Sequence, residues 1–94
     1  RLAVADSNNY RILIWNTIPT SSYQEVDVVL GQPDFVSTAN NNSGISGSSI
    51  AYPYELLAAN GKLLLADYSN HRVLVWNTWP TTNFASADFA LGQA

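Results

Sequence analysis

Apolar residues along the chain come in short runs, each closed by a polar cluster of Asp, Asn, Ser or Gly. Tyr54 to Ala59 (YELLAA) reads as one strand, and Lys62 to Ala66 as its partner. The Asn60-Gly61 pair between them is a hairpin signal, because both central positions of a type I′ turn take positive φ. His71 to Trp76 follows, with alternating Val and Leu suited to a pleated, packed surface. A last strand is expected near Ala87 to Leu91. Apolar residues fill consecutive positions in Leu63–Ala66 and Val73–Trp76, so both faces of the sheet are expected to be covered.

The pattern occurs twice. Shifting Arg1–Gln32 by 61 positions places it over Lys62–Gln93 without a gap, and 15 of the 32 columns are identical. One structural unit is therefore used two times, as four short strands per 61-residue repeat. Such a unit, apolar on both faces, is expected to need stacking against copies of itself, the logic of a propeller blade. The chain then divides into strands two to four of one blade (residues 1–32), an inter-blade connection (33–53) and a four-stranded second blade (54–94). Within the connection, Ser37 to Ser49 (STANNNSGISGSS) has the composition of a surface loop.

At Lys62-Leu-Leu-Leu-Ala-Asp-Tyr-Ser-Asn-His-Arg-Val-Leu-Val-Trp the sequence resembles the NHL-repeat family of β-propellers. Asn70-His71-Arg72 matches the family signature and Asn9-Tyr10-Arg11 matches it more loosely. Pro53 stands where that family places a residue before the innermost strand. The long repeat, with WNTIPT and VLGQPDF as further marks, looks like the bacterial kind, and the loop around Asn40–Ser49 accounts for the extra length. The resemblance implies an all-β fold, a β-propeller segment of antiparallel four-stranded blades. Two partial blades do not close a ring of the usual four to eight. Either further blades of the same parent chain or copies of this chain must complete it. The opening on Arg1 and the absence of Met favour a piece of a larger polypeptide.

Composition narrows the partners. Four cations against seven acids give a net charge of −3, which disfavours nucleic acid, since phosphate binding needs clustered Lys and Arg. No run approaches the ~20 apolar residues of a membrane span. With no cysteine, neither disulfides nor thiolate metal sites are available.

The chemistry-bearing residues mostly recur with the repeat. Asp6, Asn9 and Arg11 are echoed by Asp67, Asn70 and Arg72, and a feature kept in both copies belongs to the architecture rather than to one active site. The Asp carboxylates are expected to accept hydrogen bonds from turn N–H groups further along the chain. The arginines are expected to reach turn carbonyls or the neighbouring blade. Trp15 and Trp76 are expected to pack between blades. In Leu30-Gly31-Gln32 and Leu91-Gly92-Gln93, Gly permits a bend or a close approach, and Gln is expected to bond to the next blade.

What differs between the copies is where a particular function is sought. His71, four residues after Asp67, replaces Tyr10, and Trp79 replaces Ile18. Trp79, Tyr52 and Tyr54 are the candidates for an exposed stacking surface for sugar or peptide, with His71 beside them as a ligand contact. No metal site, cofactor or catalytic residue is expected. Asn41-Asn42-Ser43 fits the glycosylation pattern. The composite expectation is a non-enzymatic scaffold or binding module with a protein or glycan ligand, extracellular or on the cell surface. The alternative is a propeller enzyme of lyase or lactonase type holding a metal in a central channel. That chemistry needs His or carboxylates converging from several blades, and this chain offers only Glu55 toward it.

Overall fold

A computed structural model describes residues 1–42 and 44–92 of the chain. They form an all-β structure of two antiparallel sheets. The first sheet holds β1 (Leu2–Asp6), β2 (Arg11–Trp15) and β3 (Val28–Leu30), in that order. The second holds β4 (Pro53–Ala59), β5 (Lys62–Asp67), β6 (Arg72–Trp76) and β7 (Phe89–Gly92). Every pair of neighbours in the sheets is also adjacent in sequence, so each sheet is a meander, with tight turns before β2, β5 and β6 and longer loops before β3 and β7.

The repeat governs local geometry closely. A turn of 3-10 helix, Ser7–Asn9 or Tyr68–Asn70, follows β1 and β5, and each ends on a left-handed residue, Tyr10 or His71, both at φ 56°. The N–H of Asn16 donates to Asp27 at 2.8 Å, and its counterpart in Asn77 donates to Asp88 at 2.6 Å. The indole of Trp15 donates to the carbonyl of Gln24, and that of Trp76 to Ala85, again one repeat apart. At Asn60-Gly61 both φ values are positive, 52° and 77°, as the hairpin turn requires.

Gly31 and Gly92 sit at φ 88° and 98°. A Cβ on either would lie 2.8 or 2.9 Å from the carbonyl oxygen of the left-handed residue, Tyr10 or His71. The glycine at the end of the outer strand therefore allows the chain to pass over the turn, a close approach that any side chain would block.

One core joins the sheets. Ile12, Ile14, Val28 and Leu30 of the first sheet pack with Leu63, Leu65, Leu74 and Trp76 of the second, and Ile50 lies among them. Successive strand residues point to opposite faces. Ile12 and Ile14 correspond by the repeat to Val73 and Val75, which lie outside this cluster, whereas Leu74 and Trp76 correspond to Leu13 and Trp15, which also lie outside it. The sheets thus stack front to back, each giving the core the face that the other turns outward. The expectation that both faces of each sheet are covered holds fully for one face and in part for the other, where Val29 and Val75 are buried but Val4, Leu57, Phe89 and Leu91 are exposed. β3 is buried at all three residues, and β7 is exposed throughout.

The connection is more than a surface loop. Most of Pro33–Ser48 is exposed, but Gln32, Ser49, Ile50 and Ala51 are buried. Gln32 donates to the carbonyls of Tyr10 and Ala39 and accepts from the Ala39 N–H. It ties the turn of its own sheet to the start of the connection, so the expected bond to the next unit is not made. The chain position occupied by Gln93 lies outside the described residues, as does Ser43 of the glycosylation triplet. Asn41 itself is half-buried and pairs its amide with that of Asn70.

Candidate functional site

The repeated polar cluster closes on itself in both sheets. Asp6 Oδ2 accepts from Asn9 Nδ2 at 3.0 Å and from Arg11 Nε at 2.8 Å. Asp67 Oδ2 accepts from Asn70 Nδ2 at 2.8 Å and from Arg72 Nε at 3.0 Å. The turn N–H bonds expected for these carboxylates are absent at the caps, because the Asn and Arg side chains occupy the carboxylate instead. The arginines reach beyond the turn, Arg11 to the carbonyl of Phe35 and Arg72 to that of Ser49, both in the connection.

Environment separates the two clusters. Asp67 and Arg72 have side chains 0% and 1% exposed, against 27% and 17% for Asp6 and Arg11. The end of the connection lies over the second cluster, and the N–H groups of Ala51 and Tyr52 donate to Asp67 Oδ1 at 3.0 and 3.2 Å. Arg72 also donates to the Ser49 hydroxyl. Among the described residues no buried side-chain nitrogen or oxygen lacks a partner. All of this is structural use of polar groups: both Asp67 oxygens, the Asn70 amide, and Nε and Nη2 of Arg72 are engaged within the protein.

Partial burial pushes the Asp6 carboxyl up, but hydrogen bonds from Asn9 and Arg11 together with the Arg11 charge outweigh it and hold its pKa below the ordinary value. A carboxyl lowered on folding stabilises the fold above its unfolded pKa of about 4, and the contribution is lost as pH falls through the lowered folded value. Asp6→Asn should therefore shift the urea midpoint downward at neutral pH and lose that difference progressively below about pH 4. A difference that stays constant with pH would show that the charge of Asp6 contributes nothing.

His71 is exposed and forms the left-handed end of its turn. Asp67 accepts from Asn70, Arg72, Ala51 and Tyr52, so although His71 lies only four residues on, the two do not form an acid–base pair. Trp79 also departs from expectation. It is half-buried, packs against the core cluster and carries the Arg1 guanidinium 5.6 Å from its ring centroid.

The tyrosines remain, and a third joins them. Tyr52 and Tyr54 have ring centroids 6.4 Å apart, and Tyr54 and Tyr68 5.5 Å, at tilted angles of 34° and 37°. Tyr54 sits at a register shift between Pro53 and Glu55, where the pairing with β5 skips a residue, and such a bulge re-aims a side chain. Tyr68 opens the 3-10 turn and donates its N–H to the carbonyl of Tyr52. Tyr54 and Tyr68 are 64% and 66% exposed, so the rings form an open ridge at the end of the second sheet. Tyr68 was legible as a candidate by the rule applied to His71 and Trp79, since its counterpart is Ser7. Elsewhere, Glu25, Val26 and Phe35 line a cleft of about 260 Å³ on the first sheet's side, below the ~300–1,000 Å³ of a small-molecule site.

Among the described residues, no helix is long and apolar enough to cross a membrane. No family model, curated protein or solved structure matches this chain.

Proposed function

We propose that the chain supplies two adjacent blades of an NHL-type β-propeller and works as a non-enzymatic binding module, extracellular or on the cell surface, whose ligand contact is the Tyr52–Tyr54–Tyr68 ridge. Support for the blade reading is the same meander used twice and stacked front to back, with apolar side chains on both faces of each sheet. The observation that carries the binding role is the ridge itself. The Tyr54 ring stands 6.4 Å from that of Tyr52 and 5.5 Å from that of Tyr68, centroid to centroid, and Tyr54 and Tyr68 are left largely in solvent. Aromatic rings with a hydroxyl present an apolar face and a polar rim. That combination suits the C–H face of a sugar or the ring of a proline, and these are the protein or glycan ligands to be sought.

Glycan and peptide arrays probed with the chain test this directly. Tyr54→Ala and Tyr68→Ala should each weaken binding of any hit about tenfold, the value of one aromatic contact of roughly 1.4 kcal/mol. Both positions are exposed, so stability should change by no more than about 0.5 kcal/mol. Blank arrays, or hits indifferent to both substitutions, would overturn the assignment.

A further inference from the structure

Asn60-Gly61 is the one Asn-Gly step in the chain, and it closes the β4–β5 hairpin, whose last paired residues are Ala59 and Lys62. Both loop residues have positive φ, 52° and 77°, and Leu57 to Lys62 are exposed throughout. The Gly61 N–H stands outside the ladder, which ends at Ala59–Lys62. A Cβ built on Gly61 would meet nothing within 4 Å, so this side of the loop is open to water. Few buried contacts hold the tip, and hairpin ends of this kind open locally at small cost.

Other asparagine amides are put to structural use. Asn9 donates to Asp6, Asn41 and Asn70 pair with each other, Asn77 accepts from Lys62, and Asn83 accepts from the Val29 N–H. Each of these five is followed by a residue with a side chain, which crowds the backbone nitrogen after it. The Asn60 amide takes no part in these bonds, and its neighbour is glycine.

We propose that Asn60 is a site of spontaneous deamidation in the folded protein, and that its two products act oppositely on the hairpin. Asparagine is a chemically labile side chain, and here nothing holds it. Hydroxide removes the Gly61 N–H proton, and the nitrogen forms a bond to Asn60 Cγ. The Cγ–Nδ2 bond breaks, and Nδ2 leaves as ammonia after taking a proton from water, which restores the hydroxide. Water then opens the cyclic imide. Addition at Cγ gives aspartate on an ordinary backbone, whereas addition at the Asn60 backbone carbonyl leaves the chain running through Cβ and Cγ as isoaspartate. Asp-Gly suits a type I′ turn as Asn-Gly does, so aspartate preserves the hairpin. Isoaspartate adds a methylene to the loop backbone. Because the loop fixes the register of a hairpin, the Ala59–Lys62 closure is then lost.

Incubation of the 94-residue chain at neutral and alkaline pH, followed by peptide mapping and enzymatic methylation of isoaspartate, tests this. Conversion is expected at residue 60 and should rise with pH. It should run about tenfold or more faster than at Asn9, Asn41, Asn70, Asn77 or Asn83, the factor that one retained hydrogen bond adds to a barrier. In urea those five should convert faster than in buffer. Asn60→Gly keeps a Gly-Gly turn and should abolish the modification. Asn60→Asp should match the wild type in hydrogen exchange, while the isoaspartate form, separated by chromatography, should exchange faster at Ala59 and Lys62.

A native protein that keeps Asn60 while its urea-unfolded form converts there would overturn the proposal. Earlier conversion at any of the five bonded asparagines would do the same. An isoaspartate form that exchanges like Asn60→Asp would overturn the opposite effects on the hairpin.

Discussion

Asp67→Ala is expected to destabilise the fold by about 3–5 kcal/mol, the cost of leaving a buried charge without its partner. The side chain is wholly buried and receives four hydrogen bonds, two from Asn70 and Arg72 and two from the N–H groups of Ala51 and Tyr52. Alanine would strand the guanidinium of Arg72, which is 1% exposed, and both backbone donors. Asp6→Ala removes the equivalent carboxylate, yet Arg11 is partly in solvent and water replaces the lost acceptor. That substitution should cost about 1 kcal/mol or less. Against a total stability of roughly 5–15 kcal/mol, the first change takes a large share and the second does not. Urea unfolding of both variants at one fixed protein concentration measures the contrast, because association adds to apparent stability. Asp67→Leu combined with Arg72→Met should recover part of the loss, since a buried pair replaced by apolar groups of similar size is often tolerated. Recovery should remain incomplete, for the Ala51 and Tyr52 donors would still lack an acceptor. Equal costs at Asp6 and Asp67 would show that burial by the connection does not distinguish the two clusters.

That contrast marks how far the sequence could be read. Local apolar pattern located the strands and the Asn60-Gly61 turn, and the repeat marked the Asp–Asn–Arg cluster, because all of these depend on residues within a few positions of one another. It could not tell the clusters apart, since the residues that bury Asp67 come from Ser49–Tyr52, about fifteen positions away, in the segment the repeat does not cover. The same limit applies to the pairing of Asn41 with Asn70, which lie 29 residues apart. Composition marked Ser37–Ser49 as a surface loop, and its exposed middle agrees. The buried end escaped because Ser49 is small and polar, and its burial depends on what Arg72 asks of its carbonyl and hydroxyl. Trp79, expected in the open, is half-buried against the core for a related reason. A large apolar ring beside a proline carries no local sign of whether a core lies next to it.

Trp76→Ala should cost about 3–5 kcal/mol, the range for removing a large aromatic side chain from a packed core, whereas Trp15→Ala should cost roughly 1–2 kcal/mol for its partial burial. The two tryptophans occupy equivalent positions, follow the same strand pattern and donate to equivalent carbonyls, Ala85 and Gln24. Intrinsic propensity and local hydrogen bonding are thus matched between them. What differs is the neighbour: Trp76 is 3% exposed and sits in the cluster between the sheets, while Trp15 is half-buried on the outward face of the first sheet. The difference in cost, read from urea unfolding of dilute samples, therefore measures the stacking contribution with the local terms cancelled. A cost at Trp15 that matches Trp76 would mean that the outer face of the first sheet is already covered within one chain, and the front-to-back stacking described for the two sheets would be wrong.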